Sequence, residues 1–73
     1  MANTGERLRE WRRRRLLTQE DLAKLAGVGY VTISRIETTG NGRVTTLRKL
    51  AAALDITPEQ LMGADEIPES KAA

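Results

Sequence analysis

A chain of 73 residues with a formal net charge of +2 has room for one domain and one small core, whose burial on folding is marginal without a partner. It holds no Cys and no His, which removes disulfides, the usual zinc ligands and thiol or imidazole catalysis, and fits a reducing compartment. No apolar run approaches the roughly 20 residues that cross a bilayer, and MANTGERLREW lacks the apolar centre of a signal peptide, so a soluble, cytoplasmic protein is expected.

The first helix is predicted from about Gly5 to Arg15, with Thr4 as its cap and Leu8 and Trp11 at i, i+3 on its core side. Trp11 reads as a packing residue, because one Trp, one Tyr and no Phe cannot build the aromatic platform on which single-stranded bases stack. The Arg12–Arg15 run cannot all face one way on a helix, so Arg13 and Arg14 are expected to be solvated.

Thr18 can cap a second helix starting at Gln19, and Asp21 three residues on can reach back to the cap amide in an approximate capping box. Leu22, Ala23 and Ala26 share a narrow apolar stripe, and Gly27 ends the helix where a left-handed backbone is needed. Gly29 opens a third helix over about 30–37. Its Ile33 and Ile36 are expected inside, while Tyr30, Val31, Ser34 and Arg35 face outward together. Two short helices joined by a sharp turn are how many proteins present one helix to the major groove of DNA.

The segment from Thr38 to Val44 contains Gly40, Asn41 and Gly42 and reads as a loop. Helix 4 is predicted from about Thr45 to Leu54, with Leu47, Leu50 and Leu54 as its buried stripe and Arg48 and Lys49 outside it. Thr57, Pro58 and Gln60 then supply a cap, a proline at the first helical position and a third-position partner for helix 5, which ends near Gly63. The expected domain therefore covers 4–63, and 64–73 (ADEIPESKAA) is a flexible polar tail.

Gln19, Leu22, Ala23, Gly27, Val28, Ile33 and Ile36 resemble the helix-turn-helix signature of the phage repressor and Cro family, the xenobiotic-response-element regulators. LREWRRRRLLTQ upstream resembles the first helix of that family, and TLRKLAAALDITPEQLM downstream its fourth and fifth. The resemblance covers about Gly5 to Met62. It implies an all-α, compact five-helix bundle of the lambda-repressor-like DNA-binding type, with the helix-turn-helix formed by helices 2 and 3. It also implies that Arg12 pairs with Glu37, at the end of the recognition helix, close to a DNA phosphate. The loop departs from the family pattern, having Thr38 and Thr39 where relatives often have Asn-Gly, and lacking a later proline.

Charge agrees with a duplex partner. Residues 1–45 hold nine Lys or Arg against five Asp or Glu, and residues 46–73 three against five, giving +4 and −2. With helix 3 in the groove, Tyr30, Val31, Ser34 and Arg35 are the expected base contacts, Val31 against a thymine methyl and Arg35 on guanine O6 and N7 or, alternatively, on phosphate. Gln19, Gly29, Thr32, Arg12 and Arg43 are the expected phosphate contacts; for Gln19 and Arg43 the competing reading is a solvated polar residue.

The resulting expectation is a sequence-specific transcriptional regulator, of the repressor kind that the resemblance implies, binding an inverted-repeat operator as a homodimer. Leu61, Met62 and Ile67 are a candidate dimer patch, unless Leu61 simply completes the core. The alternative is a protein-interaction module, such as the DNA-binding antitoxin of a toxin-antitoxin pair or an adaptor. Catalysis is not expected, since no carboxylate pair has the apolar surroundings that would tune it, and no metal or cofactor site is apparent.

Overall fold

The computed structural model describes residues 3–63, and over these the chain is five helices: α1 (Thr4–Arg14), α2 (Gln19–Ala26), α3 (Tyr30–Thr39), α4 (Val44–Ala53) and α5 (Pro58–Met62). The tail 64–73, including Ile67, lies outside the described residues. Among the described residues there is no strand, and no helix is long and apolar enough to cross a membrane.

Local chemistry sets most of the boundaries. The Thr18–Asp21 and Thr57–Gln60 boxes both form in full, each cap hydroxyl accepting from the third backbone amide and each third side chain accepting from the cap amide. Gly27 ends α2 and Gly40 ends α3 in left-handed conformation, at φ 69° and 79°. At the start of α1 the expectation is corrected: Asn3, not Thr4, is the cap, its Oδ1 accepting from the Glu6 amide at 2.9 Å. Thr4 is instead buried. Helix α3 also runs two residues past the expected end, because the first left-handed residue comes only at Gly40; in the added residues the hydroxyls of Thr38 and Thr39 donate to the carbonyls of Ser34 and Arg35.

The core is one aliphatic cluster. Leu8, Leu22, Ile33, Ile36, Leu50, Leu54, Leu61 and Met62 are almost wholly inaccessible, and Trp11, Leu17, Val28 and Ile56 pack around them. Helix α1 lies against α3 and α5, α2 against α3 and α4, and α4 against α5, so α3 is held from two sides. Met62 and Leu61 are both buried, which removes them from the dimer patch that the sequence suggested. The reason is positional: α5 packs against α1 and α4 together, so two successive side chains are covered. Trp11 is half-buried beside the cluster and donates its indole Nε1 to the Gln60 carbonyl at 3.3 Å, with the guanidinium groups of Arg14 and Arg15 over its ring.

Leu16 adopts φ 58° in the turn after α1 and is 90% exposed. A left-handed backbone costs a residue with a Cβ about 1–2 kcal/mol. Nothing apolar is recovered by burial here, so Leu16→Gly is expected to stabilise the domain by about 0.5–1 kcal/mol after the greater unfolded-state entropy of glycine is allowed for. A lower urea midpoint in Leu16→Gly would contradict this.

Candidate nucleic-acid interface

The outer face of α3 follows from its inner one. At about 100° per residue, buried Ile33, Ile36 and Glu37 define the inward side, and Val31 lies opposite it with Ser34 and Arg35 to either side. Tyr30 is 48% and Val31 64% exposed, values far above those of any core aliphatic, so both apolar groups are held at the surface. Arg35 is exposed and Ser34 half-buried.

Two clefts border this face. The first is lined by Arg12, Leu17, Thr18, Gln19, Glu20 and Tyr30, and thus joins the end of α1, the start of α2 and the start of α3. The second is lined by Thr32, Arg35, Ile36, Asn41, Gly42, Arg43 and Thr46, joining α3 to the loop and the start of α4. Tyr30 and Thr32 stand about 200° apart around α3, so the clefts lie on opposite flanks of the Val31 and Ser34 surface. The expected phosphate contacts divide between them, Arg12 and Gln19 in one and Thr32 and Arg43 in the other. Arg35 shares the second cleft with Arg43. Gly29 caps α3 with φ −75°, a value open to any residue, and a Cβ there would meet only the Thr32 hydroxyl at 3.8 Å. Glycine at 29 is therefore not demanded by the fold.

A buried network holds the first cleft. Arg12 Nε donates to Glu37 Oε2 at 2.7 Å and its Nη2 to Glu37 Oε1 at 3.1 Å, a two-pronged pairing, while Nη1 donates to the Leu17 carbonyl at 2.9 Å. Gln19 Nε2 donates to the same Glu37 Oε1 at 3.1 Å, which fixes the amide orientation and leaves its Oε1 and second N–H turned from the carboxylate. The Glu37 side chain is only 2% exposed and that of Arg12 14%. Burial pushes the Glu37 carboxyl up, but the hydrogen bonds from Arg12 and Gln19 and the charges of Arg12 and Arg9 outweigh it, and the net displacement is downward. Arg12 moves up in turn, chiefly through its bond to Glu37.

Several contributors were not legible as such. Arg9 lies 3.6 Å from Glu37, adding a second cation on the exposed side of the network. Its position i−3 to Arg12 was a usable signal, since that spacing shares a helix face. Asn41 and Thr46 line the second cleft, and only the folding of the loop brings them there. Of the other arginines, Arg14 pairs with Glu10 at the surface and Arg15 Nε donates to the Leu54 carbonyl at 2.9 Å, closing the end of α4.

Five helices with α2 and α3 joined by a glycine turn, α3 presenting its outer face between two clefts, define a helix-turn-helix domain of lambda-repressor-like fold. The helix-turn-helix family model matches residues 8–61, and the chain belongs to that family, in its xenobiotic-response-element branch. Two curated relatives come from Bacillus subtilis (strain 168). The chain is 44% identical over 66 residues to an uncharacterized HTH-type transcriptional regulator, RghRB, covering 88% of this chain and 48% of the relative. It is 45% identical over 64 residues to the HTH-type transcriptional repressor RghR, covering 85% and 47%. The chain thus spans about half the length of the curated relatives it matches. No solved structure gives a significant match.

Proposed function

We propose that this chain is the sequence-specific DNA-binding part of a transcriptional regulator, a repressor acting in the cytoplasm, which docks α3 in the major groove of duplex DNA. The observation that carries the reading is the surface of exposed Tyr30, Val31 and Arg35 with half-buried Ser34, flanked by two arginine-bearing clefts, the arrangement needed to meet base edges between two phosphate backbones. Val31 meets a thymine methyl, Tyr30 and Ser34 offer hydroxyls, and Arg35 takes guanine O6 and N7. Arg12 and Gln19 take a phosphate on one flank and Thr32 and Arg43 on the other, with the Gly29 backbone close to the first. A recognition helix of ten residues reads few base pairs, so a homodimer on an inverted repeat, with half-sites about one helical turn apart, provides the rest of the affinity. The names of the relatives, a regulator and a repressor, support this reading.

Selection of bound duplexes from a random library tests it, since a recovered inverted repeat reports specificity and symmetry together. On the recovered site, Arg35→Ala is expected to lower affinity by about 1–3 kcal/mol while leaving nonspecific binding nearly unchanged. Equal losses on both would make Arg35 a phosphate contact. Arg43 and the Arg9, Arg12 and Glu37 cluster, which carries one net positive charge, give four net cationic contacts over two protomers, so log affinity should fall against log salt with a slope of about −4. A flat salt response would overturn duplex binding.

A further inference from the structure

The two additional residues of α3 enlarge its outer face. Thr38 is exposed and lies seven positions after Val31, on the same side of the helix, directly opposite Ile33, Ile36 and Glu37. Two turns of helix separate these side chains by about 10 Å along the axis, the length of about three base pairs. Val31, Ser34, Arg35 and Thr38 therefore form one continuous i, i+3, i+4, i+7 stripe, with the first cleft beside its N-terminal end and the second beside its middle, and Thr38 extends it beyond both. In Thr38 the hydroxyl is already committed, donating to the Ser34 carbonyl at 2.8 Å. That bond fixes χ1 and leaves the γ-methyl as the group with which Thr38 discriminates. Thr39, by contrast, uses its hydroxyl twice, donating to the Arg35 carbonyl and accepting from the Asn41 amide at 3.2 Å, and so shapes the end of the helix.

We infer that Thr38 is a specificity-determining residue, its methyl packing on the 5-methyl group of a thymine about three base pairs from the one met by Val31. The inference rests on the reading of α3 as the groove helix. A methyl on a methyl discriminates by apolar burial alone, which makes the contact selective against cytosine and against uracil in equal measure.

The test uses the site recovered from the library, with each thymine replaced singly by deoxyuridine, and the full chain as wild type, Thr38→Ser, Thr38→Val and Val31→Ala. Circular dichroism melting confirms that each variant is folded. Wild type is expected to lose about fourfold in affinity at one thymine through loss of a methyl contact. Thr38→Ser should bind the unmodified site about fourfold more weakly and show no further loss at that position, whereas Thr38→Val should retain the discrimination. Val31→Ala should abolish the uracil effect at a different thymine. A recovered motif in which no thymine responds to Thr38→Ser overturns the inference while leaving the groove reading in place. So does a uniform loss in Thr38→Val at every sequence, which would make the hydroxyl a phosphate contact. Recovery of no motif at all overturns both.

Discussion

Gly5→Ala is expected to destabilise the domain by about 2–3 kcal/mol, against the usual trend for a helical glycine. In an unobstructed helix the exchange gains up to about 1 kcal/mol of propensity. Here an added Cβ would run into the Ile36 carbonyl oxygen and lie 3.0 Å from that of Glu37. Both obstacles are backbone, so relief requires α1 and α3 to separate, and overpacking of this kind costs about 1–3 kcal/mol or more. For a domain of this size the melting temperature should fall by more than about 10 °C. The same displacement carries Arg12 away from Glu37, so DNA affinity should fall with stability. A melting temperature equal to or above that of the parent would mean that the two helices do not need this close approach.

Arg12→Ala is expected to cost about 3 kcal/mol, at the low end for breaking a buried pair, because Arg9 remains near the exposed edge of Glu37. The loss comes from an uncompensated buried carboxylate more than from the pairing itself. Removing both charges at once, as in Arg12→Met with Glu37→Leu, should therefore recover most of the stability in urea unfolding, while leaving Gln19 without its anchor and DNA binding impaired. A double variant as unstable as Arg12→Ala would show that the pairing itself is the stabilising element. The network also sets an acid limit. The folded Glu37 carboxyl titrates below its ordinary value of 4.5, so the unfolded chain binds the proton first. The stabilisation is thus complete above about pH 5 and disappears as pH falls through the lower, folded value. Asp21, held down by its bonds to Thr18, acts in the same direction. Glu37→Gln should flatten part of the acid slope and leave the Asp21 share. An unchanged slope would assign the acid sensitivity elsewhere.

Legibility in the sequence differed sharply between kinds of residue. Thr18 with Asp21 and Thr57 with Gln60 announced two helix starts, and Gly27 a helix end, because capping is satisfied within four residues of chain. The aliphatic stripes of α2, α3 and α4 were legible for a related reason, since a helical period fixes which residues share a face before any partner is known. The cap of α1 was misassigned to Thr4 because neighbouring Asn and Thr are both good caps and only tertiary burial of Thr4 separates them. The length of α3 was missed because Gly40, Asn41 and Gly42 read as a loop without marking where it begins. Burial of Met62 was missed because a five-residue helix has too little length to show which of its sides are covered.

By itself the sequence determined five helical segments, the caps of α2 and α5, the glycine that ends α2, and an outward set of Tyr30, Val31, Ser34 and Arg35, since all of these depend on interactions between residues a few positions apart. Only the tertiary structure decided that Arg9, Arg12 and Gln19 converge on the one Glu37 carboxylate, and that Arg35, Asn41, Arg43 and Thr46 border a common cleft. It also decided that α1 crosses α3 closely enough to require glycine at position 5. Those features join residues distant in the chain, and their geometry is fixed by how the helices cross around a shared core, which no local period records.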